Sequence, residues 1–213
     1  MPLGEKIEVK APNSKLVLNV YKGHYATAHS HINYYIDIAQ TKSSLAQAQL
    51  VAKKLAESYK SNTLVDTILC LDGTEVIATC LAKELTSLEW ASVNSGRDIC
   101  ILTPEHNAGS QLFFRDNTAP MIAGKCVLVL AASVVTGFTA LSAIESVNYY
   151  GGRVTGITSI FATVKSVRNI PVVSVFNDKD LPGYAHTAAN ECPLCRKGEK
   201  INALVNSFGC SML

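Results

Sequence analysis

No apolar run in this chain approaches the roughly 20 residues that a membrane-spanning helix needs. The opening MPLGEKIEVKAP has no apolar core followed by a small-residue cleavage site. Both absences argue against membrane attachment and export, and a cytoplasmic location is expected. Also lacking is an excess of positive charge: 19 Lys and Arg stand against 17 Asp and Glu, for a net charge of +2, and the cations are scattered. A dedicated nucleic-acid binder is therefore not expected. The seven cysteines are an odd number, which suits reduced thiols better than a disulfide framework. Cys70, Cys80, Cys100, Cys126 and Cys210 sit among apolar residues and read as core filler. There is no internal repeat and no low-complexity segment.

What is present suits one α/β domain with a modest extension, since 213 residues can bury a sizeable core without metal or disulfide support. Residues 15–21 and 32–37 read as two strands joined through Lys22-Gly23-His24, a hairpin lid. Apolar residues at Leu45, Ala48, Val51, Ala52 and Leu55 have helical spacing, with Ser43 or Ser44 as cap. A strand at 67–71 runs through Asp72-Gly73-Thr74 into a helix at 75–85. Further strands are expected at 98–102, 126–130, 153–161 and 171–176, with a helix at 139–149 closed by Gly151-Gly152. Strands alternating with helices imply a mostly parallel sheet with helices on both faces and ligands at the strand C-terminal ends. The expected segments are a lid at 1–40, a core at 41–178 and a polar tail at 179–213.

The most informative stretch is Val127 to Ala140, a buried strand running into a small-residue loop that opens a helix. Ser133, Val135, Thr136, Gly137, Phe138 and Thr139 have the form of a phosphate cradle. Such a loop aims backbone N–H groups and Thr hydroxyls at an anion, and the helix N-terminus adds about half a positive charge. The bland alternative is an ordinary helix start with a Thr cap and a Gly turn. For Asp72-Gly73-Thr74 the alternatives are a diphosphate contact and a plain strand-to-helix turn.

The register at 127–140 resembles the signature of the type I phosphoribosyltransferases, an apolar strand followed by two carboxylates, two apolar residues and a Thr-Gly-x-Thr loop. Within that family the chain is most similar to orotate phosphoribosyltransferase. His29-Ser30-His31-Ile32-Asn33-Tyr34-Tyr35-Ile36-Asp37 resembles its N-terminal stretch, which implies that Tyr34 and Tyr35 line a base pocket. Leu69–Ala78 resembles its pyrophosphate loop, 124–129 its approach to the phosphate loop, and Glu191–Gly198 a tail found in some members. The resemblance implies a phosphoribosyltransferase-type α/β fold, a homodimer, Mg²⁺, and a phosphorylated ligand such as phosphoribosyl pyrophosphate, ribose 5-phosphate or a nucleotide.

The departures point the other way. Ala131 and Ala132 stand where the family's two acids hold the ribose hydroxyls beside Mg²⁺. The loop from Thr103 keeps His106 but not the early basic residues that neutralise departing pyrophosphate, leaving Arg115 and Lys125. Ala162 and Thr163 replace an Asp-Arg pair whose Arg grips orotate, although Lys165 and Arg168 follow. Asp72, Glu75 and Glu105 remain as carboxylates for a metal. Each lost oxyanion-type contact is worth about 2.7–4 kcal/mol, so weak or absent transferase activity is expected. The alternatives are an active transferase for a different base, with a rearranged Mg²⁺ site, and a non-enzymatic dimeric sensor or interaction protein.

Cys192-Pro193-Leu194-Cys195 has the spacing that lets two thiolates bind one zinc. One pair is half of a structural site, which His186, His106 or the equivalent pair of a second subunit would complete; a redox pair is the less favoured alternative, because Cys192 follows a polar loop. His24, His29 and His31 are expected to be solvated on the hairpin surface.

Overall fold

The computed structural model describes residues 3–88, 92–107 and 111–213. In chain order the strands and helices begin with β1 (Glu5–Lys10), β2 (Val17–Ala26), β3 (His31–Asp37), α1 (Ala39–Ser43) and α2 (Leu45–Ala56). They continue with β4 (Thr67–Cys70), α3 (Glu75–Leu85), β5 (Cys100–Leu102), β6 (Glu105–His106), β7 (Leu112–Phe113), β8 (Cys126–Val134) and α4 (Phe138–Tyr149). The last are β9 (Arg153–Ala162), β10 (Ser166–Val167), β11 (Ile170–Asn177), β12 (His186–Thr187), α5 (Pro193–Arg196), β13 (Ala203–Asn206) and β14 (Gly209–Met212). They fall into two compact units, one from Lys42–Asn177 and one from Met1–Thr41 with Asp178–Leu213. Among the described residues no helix is long and apolar enough to cross a membrane.

The 42–177 unit is a six-stranded sheet in the order β10-β11-β9-β8-β4-β5, parallel throughout except for the β10–β11 hairpin. Its centre is β8, whose residues are buried except for half-buried Ser133. Such a continuous apolar strand is what a parallel sheet covered on both faces requires. On one side Val127, Val129, Ala131, Ala140, Ala143, Ile144 and Val147 join strand and α4 in one apolar cluster. Each fully buried Val or Ile contributes about 1.5–3 kcal/mol. The helix at 75–85 stands where the periodicity places it, and β8 runs four residues past the expected end at Leu130. The two-residue Arg168-Asn169 turn, both at positive φ (50 and 64), makes β10 and β11 a tight hairpin.

In the other unit β2 and β3 form the expected antiparallel hairpin, but not through Lys22-Gly23-His24. Strand β2 continues across those residues to Ala26, and the turn is Thr27–Ser30, where Thr27 Oγ1 accepts the Ser30 N–H at 2.9 Å. The register instead slips between Lys22 and Tyr25, an extra residue of β-bulge type that re-aims the side chains beyond it. His24 and Tyr25, although consecutive, are both buried as a result. The C-terminal tail is not merely polar turn. Strands β12, β13 and β14 extend the same sheet in the order β12-β3-β2-β13-β14, with β1 paired to β2.

Candidate functional site

Strand β8 ends at Val134, Val135 and Thr136 bend, and Gly137 opens α4 with φ 80 and ψ 0. A Cβ there would sit in the left-handed region and crowd Val167 Cγ2 at 3.0 Å, so the position favours glycine on both counts. The α4 N-terminus has no side-chain cap, which leaves its first-turn N–H groups without a side-chain partner. Thr136 and Thr139 are exposed, and Phe138 is 63% exposed. The loop is held from behind by Thr163, whose N–H donates to Val134 O at 3.0 Å and whose hydroxyl donates to Val135 O at 2.7 Å.

At the end of neighbouring β4 the chain turns through Asp72 (φ 60) and Gly73 (φ 74) into α3. Asp72 Oδ2 accepts the Ala132 N–H at 3.3 Å, which sets this carboxylate against the end of β8. Thr74 faces inward: its hydroxyl reaches Leu71 O at 2.9 Å and Leu130 O at 3.1 Å and ties the two strand ends together. Lys42, only 6% exposed, donates to Asp72 O. Burial lowers the Lys42 pKa, against the pull of the Asp72 and Glu75 carboxylates. Glu75 in turn accepts the Thr103 hydroxyl at 2.8 Å.

Two other cations of this unit are held by carboxylates. Arg115 forks onto Glu105 at 2.8 and 2.7 Å, and this hydrogen-bonded contact holds the Glu105 pKa below the usual carboxylate range. Arg168 meets Glu145 on α4 at 3.2 Å. His106 is exposed on the short β6–β7 ribbon, whereas Ala108 and Gly109 lie outside the described residues. Ala162 is buried.

In the other unit Tyr35 packs into an apolar cluster with Tyr25, Ile32, Ala203 and Val205, and burial raises its pKa. Tyr34, also buried, points to the opposite face of β3. Cys192 and Cys195 come together with His24 and His31, all four ligand atoms lying within 4.8 Å of one another. The Cys192 thiol is brought down to about 6. Burial pushes it up, but hydrogen bonds from the Cys195 and Leu194 N–H groups and from the His31 and Thr187 side chains together outweigh that.

No protein-family model matches the chain, and no curated protein matches it either. Solved structures do. An orotate phosphoribosyltransferase of Mycobacterium tuberculosis is similar over 78% of this chain and 93% of its own, at 19% identity and a TM-score of 0.53. The UMP synthase of Leishmania donovani is similar over 76% of this chain and 34% of its own, at 18% identity and a TM-score of 0.56. The adenine phosphoribosyltransferase of the same organism is similar over 76% and 78%, at 16% identity and a TM-score of 0.51. This chain has the type I phosphoribosyltransferase fold.

On a phosphoribosyltransferase fold the loops at 72–74 and 133–139 sit at the C-terminal ends of adjacent parallel strands, where open α/β sheets bind ligands. The donor set there does not fit the Mg²⁺ that the fold family implies. Ala131 and Ala132 are 1% and 0% exposed and offer no oxygen. Asp72 brings a carboxylate to the end of β8, and its Oδ2 is turned onto the Ala132 N–H. Mg²⁺ in such sites leans on one or two carboxylates together with substrate phosphates, and the paired acids are what this set lacks.

Four residues of these sites escaped the sequence reading in their present roles. Lys42 and Thr163 carry no motif of their own. His24 is not solvated but 2% exposed, and His31 is half-buried. His106 and His186, expected as partners of the cysteines, do not belong to the four-residue cluster. The slip in β2 is the signal's physical carrier, and period-2 reading cannot anticipate it.

Proposed function

We propose that this chain binds a phosphorylated ribose, as a sugar phosphate or a nucleotide, at Ser133–Thr139, and that its classical transferase activity is weak or lost. The observation that carries this reading is the α4 N-terminus, open behind left-handed Gly137 at the end of the central strand. Its N–H groups and the exposed Thr136 and Thr139 offer donors to three phosphate oxygens, and the helix dipole favours the anion. Two similar structures support the ligand class: M. tuberculosis orotate phosphoribosyltransferase in complex with inorganic phosphate and with 5-phospho-alpha-D-ribosyl 1-diphosphate. Asp72, Gly73 and Thr74 take the diphosphate side in this reading, with Lys42 as its cation. A homodimer in the cytoplasm belongs to the same proposal.

Weak catalysis follows from charge. Departure of pyrophosphate from a cation-like ribose needs stabilisation at both ends. Ala131 and Ala132 supply none, and Arg115 is committed to Glu105.

Calorimetric titration with phosphoribosyl pyrophosphate and with ribose 5-phosphate, each with and without Mg²⁺, tests the reading. Metal-independent binding of both ligands, without turnover of any nucleobase, is the expected result. Mg²⁺-dependent binding with turnover at ordinary enzyme rates would replace it with an active transferase for another base. No binding of either ligand would leave the fold without this function.

A further inference from the structure

We infer that His24, His31, Cys192 and Cys195 bind one Zn²⁺ in a closed tetrahedral site that fastens the C-terminal segment to the N-terminal sheet. The inference is independent of the phosphate loop.

The distances carry it. His24 Nε2 lies 3.1 Å from His31 Nδ1, 3.5 Å from Cys192 Sγ and 3.6 Å from Cys195 Sγ, and Cys195 Sγ lies 3.2 Å from His31 Nδ1. With Zn–N of about 2.05 Å and Zn–S of about 2.3 Å, a tetrahedron has edges of about 3.4 Å between nitrogens, about 3.6 Å between nitrogen and sulfur and about 3.8 Å between sulfurs. The four edges fall within a few tenths of an ångström of these, and the remaining two are within 4.8 Å. Two thiolates and two imidazoles at tetrahedral spacing are a zinc donor set, and four protein ligands leave no open position for substrate water. The site is therefore structural.

A second observation is independent of those distances. His24 Nδ1 is 2.9 Å from the Glu199 carbonyl, which can only accept, so Nδ1 carries the hydrogen and Nε2 turns its lone pair towards the cysteines. Ligand histidines are oriented in this way by a backbone carbonyl on the far nitrogen. The backbone also fixes His24: its N–H donates to Asn202 Oδ1 at 2.7 Å while its carbonyl accepts the Asn202 N–H at 2.7 Å. A Cβ on Gly23 would lie 2.8 Å from that same Asn202 Oδ1, so glycine at the slip in β2 admits the tail.

The ligands stand far apart in sequence, two on β2 and β3 and two at the start of α5. Binding therefore closes a long loop of the unfolded chain, and metal affinity becomes folding free energy.

The test uses the whole chain. Purified protein should carry one zinc per chain, and cobalt exchanged for it should show tetrahedral ligand-field bands with sulfur-to-metal charge transfer. The double variant Cys192→Ser/Cys195→Ser should lose the metal. Because that variant can also lose its fold, His31→Cys gives the sharper reading. His31 points Nδ1, the nitrogen nearer its backbone, into the site, and a cysteine Sγ reaches a similar position. His31→Cys should keep the metal and gain charge-transfer intensity, while His29→Ala should change neither. Wild-type chain that takes up no zinc when supplied with it, or whose Cys192 and Cys195 form a disulfide in the isolated protein, would overturn the inference.

Discussion

The Thr163 hydroxyl donates to the Val135 carbonyl at 2.7 Å, one residue from the N–H bond that the same Thr163 gives to Val134. The residue at the end of β9 thereby sets the shape of the loop that follows β8. Thr163→Val keeps the volume and removes one hydrogen bond, worth about 0.5–1.5 kcal/mol. Ribose 5-phosphate affinity should fall roughly 2- to 10-fold, and the thermal midpoint by about 1–6 °C. Unaltered affinity in a calorimetric titration would show that the loop keeps its shape without Thr163.

Ala131 lies in the apolar cluster between β8 and α4. An acid introduced there would be buried with that cluster rather than held out to a metal. Ala131→Asp places an unpaired carboxylate among Leu69, Val129 and Ala140 and should destabilise by about 3–5 kcal/mol, read as a lower urea midpoint. A variant as stable as the wild type would mean that this end of β8 can rotate outward.

Lys42 is held at the 72–74 turn by its bond to Asp72 O. Lys42→Met keeps the apolar stem and removes the charge. Phosphoribosyl pyrophosphate binding should weaken by roughly 10-fold, and ribose 5-phosphate binding much less. Equal weakening of both ligands would place Lys42 outside the diphosphate side.

Asp66 joins three segments: Oδ2 accepts the Cys126 N–H at 2.9 Å and Oδ1 accepts Arg97 at 2.8 Å. The Cys126 N–H, with the Arg97 guanidinium adding to it and burial opposing, holds the Asp66 pKa below its ordinary value. Since the folded value is the lower one, the stabilisation is complete above the unfolded value of about 3.9 and is lost as pH falls through the folded value. Asp66→Asn should therefore flatten the loss of thermal midpoint on acidification below about pH 5. Parallel profiles for variant and wild type would assign the acid transition to other carboxylates.

The architecture of the 42–177 unit was legible because its signals are local. Periodicity marks α2 and α3, Gly151 ends α4, and an unbroken apolar run marks β8. Short strands β6, β7 and β10 carry too few residues for a period to register. The tail was illegible for a different reason: β12 and β13 draw on partners about 150–180 residues away, and β14 only adds to β13.

By itself the sequence determined the alternation of strands and helices, the Thr-Gly-x-Thr loop at a strand end and the missing acids at 131 and 132, since each is a matter of residue identity within one segment. Only the tertiary structure decided that Asp72 turns onto β8, that Lys42 serves the neighbouring turn, and that His24 and His31 meet Cys192 and Cys195. Those relationships depend on strand pairing and on one slipped register in β2. A single extra residue there reverses which face a side chain takes, and no composition or spacing records that reversal.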